Sequence, residues 1–156
     1  MKPLLICMAL LCCQTAAAET LFSCQAGKDR YELNRNGSRL VLSRNGQKLS
    51  DTAAASAIQT HSSASINLLV QNKDRADNMY QITDYKITDY KTPSAALHTG
   101  RITHTYLVGR HDRQFKTVAC SRITRSLHRA DLSAIPREDY SAFWDFYQDS
   151  DNGGQK

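Results

Sequence analysis

The side chains best able to do chemistry in this 156-residue chain are five histidines and five cysteines. The histidines, His61, His98, His104, His111 and His128, are dispersed, and no two stand at the i, i+4 spacing that sets a pair of imidazoles on one helical face for a metal. No G-x-S-x-G elbow, H-E-x-x-H helix or glycine-rich phosphate loop is present. Cys24 and Cys120 have no histidine pair at zinc-ligand spacing beside them. The residues therefore point to no catalytic group, cofactor or metal. His104, in a strand-like run, is expected to be structural; a small hydrolase would need a carboxylate brought beside it by the fold.

The elements that must position these residues begin after a leader. Lys2, the apolar run Leu4–Cys13 and the small residues Ala16-Ala17-Ala18 form a signal peptide over 1–18, with cleavage after Ala18. Lipid anchoring at Cys12 or Cys13 is the competing outcome. The residue before each is Leu11 or Cys12, where a small one is the rule. No later segment approaches the ~20 apolar residues a spanning helix needs. Export to the periplasm or beyond leaves Cys24 and Cys120 as the mature cysteines, and an oxidising compartment joins them.

From Thr20 onward the chain alternates. Strands are expected at Thr20–Gln25, Asp29–Arg35, Ser38–Arg44 and from Gln47, with Asn36-Gly37 and Asn45-Gly46 as type I′ hairpin turns. The small, polar stretch Asp51–Ser65 reads as a connection. Ile66–Gln71 is apolar and strand-like. Asn78–Lys91 holds the tandem I-T-D-Y-K-I-T-D-Y-K, read as one long bent strand. Its odd period sends Tyr85 and Tyr90 to opposite faces. Ile102–Val108 and Gln114–Ser121 form a hairpin around Gly109–Arg113. About eight antiparallel strands in succession, with a Cys24–Cys120 disulfide tying the first to the last, give an all-β, up-and-down barrel, closed or flattened, over 19–122.

Residues 123–156 differ: a basic linker, then an acidic tail expected to be helical over Asp131–Gln148. Tyr140, Phe143, Trp144 and Tyr147 fall at i, i+3, i+4 and i+7, one aromatic stripe. Such a stripe either docks on the barrel or binds a partner. Charge divides the same way. Cys24–Ala130 carries 17 Lys and Arg against 8 Asp and Glu; Asp131–Lys156 carries 2 against 6. A basic body suits anionic partners such as lipid head groups or glycans; scattered arginines in an exported protein argue against nucleic acid.

Phe22–Lys28 (F-S-C-Q-A-G-K), Asp77–Tyr80 (D-N-M-Y) and Val118–Arg122 (V-A-C-S-R) resemble the adhesin complex proteins of Gram-negative bacteria, small envelope β-barrels related in fold to inhibitors of c-type lysozyme. The resemblance covers the barrel and stops before the tail. It implies an eight-stranded barrel with a first-to-last disulfide, inhibition of host c-type lysozyme and a part in adhesion. No inhibitory loop residue transfers. The expected function is a non-enzymatic envelope binding protein. The alternative is a housekeeping envelope module that takes an anionic ligand or a protein through its basic face or aromatic tail.

Overall fold

The computed structural model describes residues 18–72, 75–87, 97–108 and 112–139. These form ten antiparallel strands in two five-stranded sheets, where eight strands in a closed barrel were expected. The first sheet has the order β10-β1-β2-β3-β4, from β1 (Glu19–Ala26), β2 (Asp29–Asn36), β3 (Arg39–Arg44), β4 (Gln47–Ala53) and β10 (Arg122–Arg125). The second runs β5-β6-β7-β8-β9, from β5 (Ile58–His61), β6 (Ser65–Asn72), β7 (Arg75–Ile87), β8 (Leu97–Val108) and β9 (Asp112–Cys120). No ladder closes the two sheets into one cylinder among the described residues. Instead the chain bends at Ser121, leaving β8 to pair with β1 as β10. Ser121 spends both its backbone N–H (2.8 Å) and its hydroxyl (2.9 Å) on the Gln25 carbonyl.

Two strands were missed. Asp51–Ser65 contains β5, and the expected basic linker contains β10, which extends the folded body past Arg122. The Asn45-Gly46 turn has both residues at positive φ (51° and 80°), as type I′ requires. The other turn is shifted by one residue. Asn36 pairs with Arg39 as a strand residue, and the loop is Gly37-Ser38 with only Gly37 left-handed (φ 58°).

One core lies between the sheets. Phe22, Leu33, Leu40 and Leu42 of the first face Leu68, Val70 and Ile82 of the second, all fully buried. Leu127, Leu132 and Ile135 join this core from the segment after β10. The Cys24–Cys120 disulfide forms at the Ser121 bend, with Cα atoms 5.7 Å apart and a sequence separation of 96. Closing so long a loop stabilises by up to about 4–5 kcal/mol through chain entropy. Gly100 makes room beside it: a Cβ there would sit 2.9 Å from Ile123 Cδ1 and 3.0 Å from the Thr83 carbonyl.

The expected helix does not form over Asp131–Asp139. Ile135 N–H turns back to the Leu132 carbonyl, and Gln59 exchanges Gln59 N–H to Pro136 O and Glu138 N–H to Gln59 O, each 2.9 Å. The Gln59 side chain, buried in β5, donates to the carbonyls of Leu132 (2.9 Å) and Ile135 (2.6 Å). Backbone groups that a helix would pair internally are thus spent on β5. The stripe residues Tyr140, Phe143, Trp144 and Tyr147 lie outside the described residues, as does Tyr90 of the tandem repeat; Tyr85 of the first copy sits on the outer face of β7, with the Arg101 guanidinium 5.4 Å from its ring centre.

Candidate functional site

Two groups of side chains have the makings of a site. The first surrounds Asp84. In β7 the alternation that turns Ile82 to the core also turns Asp84 inward, and its side chain is 0% exposed. The carboxylate oxygen Oδ2 accepts from Ser126 Oγ and from Leu127 N–H, both at 2.7 Å. Ser126 caps the 3-10 turn Leu127–Arg129 by accepting from His128 N–H at 3.1 Å. The other oxygen, Oδ1, has no hydrogen-bond donor among the described residues and lies 3.5 Å from His98 Nδ1 of β8. His128 donates a ring N–H to the Asp84 carbonyl at 3.3 Å, and its ring stands 5.5 Å from that of His98.

Sequence spacing gave no hint that His98 and His128 meet, because a strand and a distant turn bring them together. One signal was available: an aspartate at a core-facing position of an alternating strand must find partners. A serine, a histidine and an aspartate are gathered here, yet the roles are wrong for nucleophilic catalysis. A triad needs the carboxylate on one ring nitrogen and the serine on the other. Here Ser126 Oγ lies 3.3 Å from the same His98 Nδ1 that faces Asp84, and the hydroxyl proton goes to the carboxylate. Ser126 is buried and committed to its cap. The cluster can lock a chain segment in place. It also offers three metal-ligating groups, Asp84, His98 and His128, with ligand atoms within 4.8 Å of one another.

The second group is lined from both sheets, by residues of β2, β3, β4, β7, β8 and β9. Tyr31, Arg44, Tyr80, His104, Lys116 and Val118 border a crevice of about 120 Å³. His104 stacks on Tyr80 with ring centres 4.3 Å apart and planes 6° off parallel, and its Nε2–H donates to Asn78 Oδ1. Burial holds the His104 imidazole below the usual histidine range, and Lys116 adds to the effect. The expected structural role of this histidine fits these contacts. The crevice is well under the ~300–1,000 Å³ of small-molecule sites.

Beside it, β9 is the edge of its sheet, and its outward residue Phe115 is 63% exposed. Strands β8, β9 and β10 carry Arg101, Arg113, Lys116, Arg122 and Arg125 against a single carboxylate, Asp112. The hairpin is thus a cationic edge with two large apolar side chains, Phe115 and Val108, held out in water.

No family model, no curated protein and no solved structure matches the chain. Among the described residues, no helix is long and apolar enough to cross a membrane.

Proposed function

We propose that the chain is an exported, non-enzymatic binding protein of the bacterial envelope, and that its target is c-type lysozyme, engaged through the β8–β9 hairpin. The observation that carries the reading is the exposed Phe115 on a cationic sheet edge. An exposed aromatic on an edge strand whose other face carries Lys116 beside the His104–Arg44 crevice has the make-up of an interface anchor with a charged rim. Glycosidases hold a pair of carboxylates about the scissile bond, and a cationic edge complements such a cleft locally even though both proteins are basic overall. The residues quoted above, which resemble the adhesin complex proteins related in fold to lysozyme inhibitors, suggest the target, and the hairpin is the surface proposed to engage it. The same surface suits an anionic envelope glycan, which is the alternative ligand. Residual lysozyme activity after titration with the purified mature protein tests the reading. Inhibition at near-equimolar ratio supports it, and full activity at large molar excess removes lysozyme and leaves the glycan.

The aromatic tail belongs to the body in this account. Support comes from the outer face of the second sheet. Leu69 and Met79 are 2% and 3% exposed there and form a small apolar cluster with Ile58, apart from the main core. Thr83 and Thr105 on the same face are equally closed off, while the register sets no other described strand over them. The described chain leaves the body at Asp139 alongside β5, the edge of that face. The stripe of Tyr140, Phe143, Trp144 and Tyr147 begins one residue later. We propose this face as the dock for that stripe.

A further inference from the structure

We propose that Asp84, His98 and His128 form a binding site for one divalent transition-metal ion of the zinc class, which clips the segment after β10 onto β7 and β8. Three observations converge. The donor set, two imidazoles and one carboxylate, is that of three-ligand zinc sites, which keep a fourth position for water; hard cations such as Mg²⁺ and Ca²⁺ prefer all-oxygen sets. The ligand atoms already lie within 4.8 Å of one another, against about 3.3 Å between ligands around a tetrahedral ion with ~2.0 Å bonds. Asp84 is fixed, whereas His98 and His128 are partly exposed and can rotate inward.

The third observation is Asp84 itself. Its Oδ2 is oriented by Ser126 and Leu127, as outer partners orient a ligating carboxylate. Its Oδ1 is buried with no hydrogen-bond donor among the described residues and faces His98 at 3.5 Å. A fully buried carboxylate oxygen left in that state is costly, and a cation between it and the two rings satisfies it. The partial exposure of both rings supplies an entry path. His128 exchanges its neutral bond to the Asp84 carbonyl for a metal bond. The three ligands come from β7, β8 and the 3-10 turn, so occupancy ties the segment after β10 to the second sheet.

The test uses the mature protein without a histidine tag, disulfide intact, stripped of metal at neutral pH. Zn²⁺ alone is added, and thermal unfolding and calorimetric titration are recorded. One ion per chain and a midpoint rise of several degrees are expected, since a ligand that binds only the folded state stabilises it. With both cysteines bonded, the unfolded chain has no thiols to compete. His98→Gln and His128→Gln should each weaken zinc binding at least tenfold, while His104→Gln leaves it unchanged. Should His98→Gln fail to fold, the partly exposed His128→Gln decides alone. Absence of binding up to millimolar zinc, or equal binding in wild type and both ligand variants, overturns the proposal.

Discussion

Replacing Asp84 separates the two tasks assigned to its carboxylate, and the geometry gives the size of each. Asp84→Ala strips the acceptor from Ser126 Oγ and Leu127 N–H, both 2.7 Å from Oδ2. Hydrogen bonds to charged groups contribute about 1.5–3 kcal/mol each, and the orphaned donors stay buried. Relief of the carboxylate's own desolvation offsets part of the loss, so a net cost of about 2–4 kcal/mol is expected. Asp84→Asn keeps the shape: its amide oxygen takes both bonds and its NH₂ faces His98. Only the charge assistance is lost, about 1–2 kcal/mol. Urea unfolding by fluorescence measures both, with an unchanged m-value confirming that the same surface unfolds. Exchange of the Leu127 amide gives a local readout, faster in Asp84→Ala than in Asp84→Asn. If the two variants unfold within about 0.5 kcal/mol of each other, Asp84 does not hold the segment after β10 as described.

Two further outcomes follow. His104 and His61 are both held below the usual histidine range, chiefly by burial, with Lys116 acting on His104 and Arg137 then His128 on His61. The unfolded chain therefore binds more protons than the folded one below about pH 6.5, so stability should fall as pH drops through that value, and His104→Phe should flatten the slope in urea midpoints taken from pH 7.5 to 5. The proposed tail dock is read by peroxide oxidation of Met79: slow in the wild type and much faster in Trp144→Ala/Tyr147→Ala if the stripe docks there, whereas unchanged protection in that variant would refute the dock.

Where strands carried clear local signals, the sequence was enough. β1 and β2 declared themselves by alternation, β3 by its flanking Asn-Gly turns and β6 by its apolar run, and export together with the cysteine count led to the disulfide. β5 did not, because the positions whose register faces the core are polar, buried Gln59 and exposed His61. Gln59 is polar since it serves the carbonyls of Leu132 and Ile135, a need that exists only once that distant segment is in place. β10, Arg-Ile-Thr-Arg, is four residues long with only Ile123 packed on the core, and its polar ends resembled a linker. The acidic start and Pro136 suggested a helix over Asp131–Gln148, but over Asp131–Asp139 pairing with β5 outcompeted local propensity. The Asp84 cluster was illegible as spacing because its members come from three elements. Phe115 alternates like any half-buried strand residue, and only the edge position of β9 leaves it exposed.

The central claim is that the β8–β9 hairpin grips lysozyme. The most direct measurement is the affinity of the mature protein for a c-type lysozyme by calorimetry, with Phe115→Ala and Lys116→Glu compared against wild type after each is shown to fold. A buried aromatic anchor contributes about 2 kcal/mol or more on truncation, roughly 30-fold in Kd. Phe115→Ala should lose at least that much, and Lys116→Glu should weaken binding too. Tight binding left unchanged by both substitutions, or no binding by the wild type, would contradict the account.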